Sequence, residues 1–375
     1  MGTVSRITPL RRPAPGQVSR QRVRYLTTGD GAQLAWAEAG AGPIVVKASH
    51  WLSHLDYDWE SPVWKHWTEF LTAHFRLVRH DERGCGLSDW KAGTFSLDQW
   101  VGDLEAVIGA AGITEPITLL GLSQGGATCL LYALKHPERV SRLILYGAYA
   151  RGMRHRGNPE RLKEHDAMVD LIRLGWDRQN PVFRQLFTSR FIPEGSDDQV
   201  RWFNELCRKT TSPQAAADML AARSDINVED RLGEIRCPTL VLHARRDNAI
   251  SFKEGRLLAA GIPGAEFVEL DSCNHILLEH EPAWARFRGE VLDFMGITGS
   301  GGDSEEDQAF AALSQREREI LGWISEGLSN AEIAERLSIS EKTVRNHVSK
   351  VFDKLGVWTR AQAIVFARDR GFRGA

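Results

Sequence analysis

The chain has 375 residues, 42% of them apolar, with a formal net charge of -2. This is too long for one ordinary domain of ~100–200 residues and suits two, and the near-neutral charge excludes a global attraction to nucleic acid, so any such contact must be local. Five scattered cysteines with no C-x-x-C pair argue against a disulfide framework or a zinc site, and neither a metal nor a cofactor is implied.

Residues 1–20, rich in Arg and Pro, read as a flexible basic arm without the apolar core of a signal peptide. No run reaches the ~18 apolar residues of a membrane helix, so a cytoplasmic protein making no membrane contact is expected. "VRYLTTGDG" and "AQLAWAEAG" then predict a hairpin turning at Gly29-Asp30-Gly31. "PIVVKAS" reads as a buried strand, Pro62 to Ala73 as a helix, "FRLVRHD" as a strand and Leu97 to Ala110 as a helix. "PITLLGL" is a strand, Gln124 to His136 a helix and "SRLILYGAY" a strand. This alternation predicts a parallel sheet covered by helices on both faces, an α/β class. Between about 150 and 225 the strands stop, and a segment rich in Arg, Asp and aromatics reads as a helical insertion. The alternation resumes with "CPTLVLHARRD", a helix over Lys253 to Ala260, "AEFVELD" and a helix ending near Gly296. Residues 297–312, carrying "GSGGDSEEDQ", read as a solvated linker. The α/β domain is therefore placed at 21–296, and the helical remainder at 313–375.

Gly121-Leu122-Ser123-Gln124-Gly125 falls between a predicted strand and a predicted helix. In such a nucleophile elbow the turn is tight, the flanking glycines avoid collision, and the helix N-terminus favours negative charge beside the serine. A serine nucleophile needs a base and an orienting acid. Asp247, just past "TLVLHA", and His275, just past "AEFVEL", supply them in the order Ser, acid, His. The bland alternatives are a helix cap or an Arg245 partner for Asp247, and a capping role for His275. With these residues and the "DERGCGLS" segment, Asp81 to Ser88, the chain from 21 to 296 resembles the α/β-hydrolase superfamily, the insertion at 150–225 forming a lid. The resemblance implies an oxyanion hole from the backbone N–H of Gln124 and a second donor in Ser49-His50-Trp51-Leu52, here given to Trp51. Tryptophans are dense: Trp64 and Trp67 read as packing on the sheet, while His50, Trp51, Ser123, Trp176, Trp202 and His275 form the expected ligand pocket, suited to an apolar or aromatic molecule.

Residues 313–375 carry eleven Lys and Arg against eight Asp and Glu. Helices are predicted at Gln315–Glu326, Asn330–Leu337 and Glu341–Leu355, with a last one from about Thr359. A short helix, a tight turn at Ser338-Ile339-Ser340 and a longer polar helix read as a helix-turn-helix. Val344, Val348, Val351 and Leu355 share the inward face. Arg345, Asn346 and Ser349 lie opposite, suited to base edges, with Lys342, Thr343 and Lys350 for phosphates. "GLSNAEIAERL" and "SEKTVRNHVS" closely resemble the LuxR-type DNA-binding domain, a four-helix unit. The resemblance implies a double-stranded DNA partner with a two-fold site and a homodimer formed through the last helix.

Two functions follow. One is a LuxR-type regulator that senses a small molecule, an ester, lactone or thioester among the candidates, in a hydrolase-fold pocket. The other is a working serine hydrolase with a DNA-binding tail, with a hybrid between them that hydrolyses its own inducer.

Overall fold

The computed structural model describes residues 21–91, 93–297, 310, 313–337, 339–369 and 372. The expected basic arm at 1–20 lies outside the described residues, as does the expected linker at 297–312 apart from residues 297 and 310. The chain divides into two compact units, Met1–Val291 and Leu292–Ala375. No described helix is long and apolar enough to cross a membrane.

The first unit is built on an eight-stranded sheet. Its strands are β1 (Arg22–Thr27), β2 (Gln33–Ala39), β3 (Ile44–Lys47), β4 (Arg76–His80), β5 (Ile117–Leu122), β6 (Val140–Tyr146), β7 (Thr239–Ala244) and β8 (Glu266–Leu270), in the spatial order β1-β2-β4-β3-β5-β6-β7-β8. From β3 to β8 every pairing is parallel, but β2 runs antiparallel to both neighbours. The sheet is thus mixed rather than parallel throughout. The tight Thr28–Ala32 turn closes the β1–β2 hairpin, and a turn that short can only return the chain antiparallel.

Helices α1 (Leu55–Trp59), α2 (Lys65–His74), α3 (Leu97–Ala110) and α4 (Gln124–Lys135) precede the insertion, and α9 (Phe252–Gly261) and α10 (Pro282–Phe294) follow it. Helix α1 escaped the sequence reading because its cap is His54, whose Nδ1 accepts the Tyr57 N–H at 3.1 Å, outside the usual Ser/Thr/Asp/Asn set. All six residues of β5 and all six of β7 are buried, as central parallel strands require. Leu104, Leu119, Leu130, Leu143, Val241 and Leu258 belong to the main core. Trp67 packs on Trp284 and Phe287 at ring distances of 4.7 Å each, and its Nε1 donates to Leu277 O at 3.0 Å. Trp67 is therefore core, as its helical spacing predicted.

Between β6 and β7 stand α5 (Pro159–Gly175), α6 (Val182–Phe191), α7 (Asp197–Thr210) and α8 (Pro213–Arg223). Their starts are written locally. Asn158, Ser196 and Ser212 accept cap hydrogen bonds, with a reciprocal Ser196–Gln199 box, and proline opens α5 and α8.

The second unit contains α11 (Gln315–Ser325), α12 (Asn330–Leu337), α13 (Glu341–Leu355) and α14 (Arg360–Asp369). Ser314 caps α11 in a box with Glu317, and Ser340 caps α13. Ile320, Ile324, Ile333, Val344, Val351 and Ala363 belong to its core. Phe310, which the sequence reading left in the linker, is buried there at 4.5 Å from the Phe372 ring.

Candidate active site and nucleic-acid interface

Ser123 joins β5 to α4 with φ 52° and ψ -126°, and it is the sole non-glycine residue of positive φ among the described residues. Such a backbone costs of order 1–3 kcal/mol and persists only where its surroundings impose it. They do so here by close contact. A Cβ on Gly121 would lie 2.5 Å from Gly126 Cα, and one on Gly125 would lie 2.7 Å from the Ser49 carbonyl oxygen.

Asp247 and His275 come from the loops after β7 and β8. His275 Nδ1 donates to Asp247 Oδ2 at 2.6 Å, while Asp247 Oδ1 accepts the Ala249 and Ile250 N–H groups at 2.8 and 2.9 Å. Burial alone would raise the Asp247 carboxyl. The hydrogen-bonded His275, the nearby His243 and the Ile250 N–H outweigh it and hold the group below its ordinary value. His243, with Nε2 3.7 Å from Asp247 Oδ2, was not foreseen. Neither was Gly147, the first residue after β6. Its φ is +54°, and a Cβ there would meet His275 Cε1 at 2.9 Å. The Phe191 carbonyl, at the end of α6, accepts the N–H of both His275 and Ile276 at 2.8 and 3.1 Å, so the insertion grips the histidine loop directly. Ser123 and His275 line one small cavity with His50 and Trp51. No hydrogen bond joins their side chains among the described residues.

The expected oxyanion donors are near one another, but one of them is engaged. The Trp51 N–H donates to Gln124 Oε1 at 3.0 Å, and Gln124 Nε2 donates to Ser49 O and Glu82 Oε2 at 3.3 Å each. An oxyanion would have to compete with that side chain for the Trp51 donor. Glu82 in turn accepts twice from Arg223 Nη2, at 2.9 and 2.7 Å, with both side chains buried. Arg223, the last residue of α8, also stacks over Trp100 and Trp51 at 5.2 and 5.8 Å, so a buried ion pair ties the insertion to the sheet. Burial raises the Glu82 carboxyl, and Arg223 opposes the rise. Lys47 Nζ donates to His50 Nδ1 at 2.8 Å, and burial followed by the Lys47 charge pushes His50 well below its usual range. The ring is therefore neutral at neutral pH.

A larger cavity opens over Ser123. Trp51, Phe187, Phe191 and Leu220 give it apolar walls. Trp176, expected in the pocket, lines neither cavity over Ser123 and packs a layer behind, 5.7 Å from the Trp51 ring and 5.5 Å from Phe187. Trp202 does not line either cavity over Ser123, contrary to the sequence expectation. It stacks on Tyr57 at 4.9 Å, because its place on α7 turns it toward α1. Arg156, Arg190 and Arg223 also line the cavity, and the arginine density of that stretch was the signal for them.

In the second unit, Val344, Val348, Val351 and Leu355 of α13 are buried, and Lys342, Arg345, Asn346, Ser349 and Lys350 are exposed. None of these five exposed side chains makes a hydrogen bond or ion pair among the described residues. Thr343 instead closes the cap, its N–H and hydroxyl meeting Ser340 Oγ at 3.1 and 2.8 Å.

Residues 63–283 match the family model described as serine aminopeptidase, S33, and residues 311–367 match that of the bacterial regulatory proteins, luxR family. The AB hydrolase superfamily protein YisY of Bacillus subtilis is 28% identical over 254 residues, 67% of this chain and 91% of that one. The DNA-binding transcriptional activator DevR/DosR of Mycobacterium tuberculosis is 46% identical over 68 residues, 18% of this chain and 31% of that one. A solved hydrolase from Pseudomonas aeruginosa PA01 superposes with a TM-score of 0.61 at 27% identity, covering 73% of this chain and 98% of that one. The chain thus belongs to the serine aminopeptidase S33 family, on an α/β-hydrolase fold, and carries a C-terminal DNA-binding domain of the luxR family.

Proposed function

We propose that this protein is a ligand-responsive transcriptional regulator of the cytoplasm. Its hydrolase-fold unit binds a small molecule and its LuxR-type unit, as a homodimer, reads a two-fold duplex site. The observation that carries the reading is the face of α13. Lys342, Arg345, Asn346, Ser349 and Lys350 stand exposed without internal partners, as groups that read bases and phosphates must. In vitro selection from a randomised duplex pool tests it: the full chain should enrich a palindromic motif, and failure to enrich any motif at moderate salt sinks the reading. The sensing half requires that a molecule bound over Ser123 change DNA affinity, by the coupling of ~1–3 kcal/mol usual between sites. Within the first unit, the grip of Phe191 on the His275 loop means that a ligand that moves α6 moves that loop as well. A molecule that binds the pocket and leaves DNA affinity unchanged would remove this half.

The Asp247–His275 bond and the strained Ser123 favour a second reading, in which the protein also hydrolyses its inducer. His275 would take the Ser123 proton, Asp247 would hold the imidazole, and the Gln124 N–H would meet the oxyanion. Slow turnover is expected, since Gln124 Oε1 occupies the Trp51 N–H. Ester hydrolysis by wild type but not by Ser123→Ala supports it. A reporter response unaltered by Ser123→Ala separates sensing from chemistry.

A further inference from the structure

Resting on the ligand-binding reading, we infer that the cavity over Ser123 takes an amphiphilic carboxylate, its chain against Trp51, Phe187, Phe191 and Leu220 and its anionic end at Arg190. No Asp or Glu lines this cavity, whereas Arg156, Arg190 and Arg223 do. Two of the three are already engaged. Arg223 is paired with Glu82, and Arg156 donates from Nε to Arg151 O at 3.0 Å and lies 3.9 Å from Glu254. Arg190 has neither an ion pair nor a side-chain hydrogen bond among the described residues, though it is half-buried. The charged groups that act on it are Arg161 and Arg156, which oppose its charge, and Glu164 and Asp247, which favour it, and Asp247 is committed to His275. An unpaired guanidinium withdrawn from water is unfavourable unless an anion completes it, and its planar fork matches the two oxygens of a carboxylate.

The approach to the cavity agrees. Arg156 and Arg190, with Met153, His165 and Ala249, also line a second, wider cleft. Seven Lys and Arg but only three carboxylates border that cleft, and its Lys253 and Arg256 form no ion pair among the described residues. A cleft of one dominant sign concentrates ligands of the opposite sign at its floor. The apolar ligand expected from the tryptophans alone thus gains a charged end.

Full-length Ser123→Ala protein, in which turnover cannot intervene, is titrated with octanoate and with the neutral isostere octanamide, following tryptophan fluorescence at constant ionic strength. Octanoate should bind at least ~10-fold more tightly, the lower end for a hydrogen bond to a charged group. Adding Arg190→Gln should cut that preference to below ~3-fold and leave octanamide affinity unchanged, which also certifies the fold, and Arg190→Lys should keep part of the preference. Equal affinity for the two amphiphiles, a preference that survives Arg190→Gln, or binding of neither overturns the inference. The DNA selection is independent of this titration, so a lost anion preference with DNA recognition intact refutes the subsite alone.

Discussion

The two units treat their polar groups in opposite ways. On α13 the side chains at 342, 345, 346, 349 and 350 are left unpaired and turned to solvent, while the helix spends its apolar residues on the core. Beside Ser123 a chain of polar groups is answered from within: Trp51 N–H by Gln124, Gln124 by Glu82, Glu82 by Arg223, His275 by Asp247. A surface that reads duplex DNA must keep its donors free for an outside partner. An oxyanion reaching for the Trp51 N–H must displace one of these internal bonds, which suits a switch better than a fast catalyst.

The sharpest way to break the comparison is at the free side. Arg345→Ala with Asn346→Ala should weaken specific duplex binding by at least about 30-fold, since each bidentate base contact is worth about 1–3 kcal/mol, and should leave ligand binding alone. Fluorescence anisotropy on the selected site decides it, and undiminished specificity would take both residues out of recognition. On the engaged side, Glu82→Ala leaves Arg223 buried without its carboxylate. Calorimetry should show the first unit destabilised by about 3–5 kcal/mol, as for other broken buried pairs, with the second unit's DNA affinity unchanged. A loss under ~1 kcal/mol would mean that the rings of Trp51 and Trp100 satisfy the guanidinium by themselves. Gln124→Ala is a finer probe. It releases the Trp51 N–H, and ester turnover should rise about 2- to 10-fold if one hydrogen bond of ~0.5–1.5 kcal/mol is the competitor. A fall would show that Gln124 instead holds the Trp51 loop in place.

What the sequence disclosed depended on whether the signal was local. The elbow at Ser123 and the inward valines of α13 are set by neighbours within a few residues, and each was legible. Asp247 and His275 were legible because each follows a strand of strong apolar pattern. The antiparallel pairing of β2 with β1 was legible in the hairpin turn, but its antiparallel pairing with β4 was hidden, since period-2 residues pair equally well in either direction. Helix α1 was hidden by its histidine cap. The engagement of Trp51 N–H by Gln124 spans 73 positions and that of Glu82 by Arg223 spans 141, and no spacing rule reaches so far. Trp202 was placed by composition alone, although its direction depends on how α7 packs.

The smallest expected effect concerns how the free face is held. Glu317 of α11 closes the Ser314 capping box and accepts from Lys354 Nζ of α13 at 2.6 Å. The Lys354 hydrogen bond, followed by the Ser314 N–H, lowers its carboxyl to about 2. A carboxyl lowered in the folded state stabilises above its unfolded value, near ~4.3, and that contribution drains away as pH falls from there toward about 2. Lys354 is well exposed, so the pair is worth under ~1 kcal/mol. Hydrogen exchange of the α11 amides, compared between pH 6 and pH 3, should show protection declining with acid in wild type, while Glu317→Gln starts lower and declines less. Parallel profiles for the two proteins would mean that the tie between α11 and α13 rests on Ile320, Ile324 and Val351 alone, and that α13 is held by its core without help from charge.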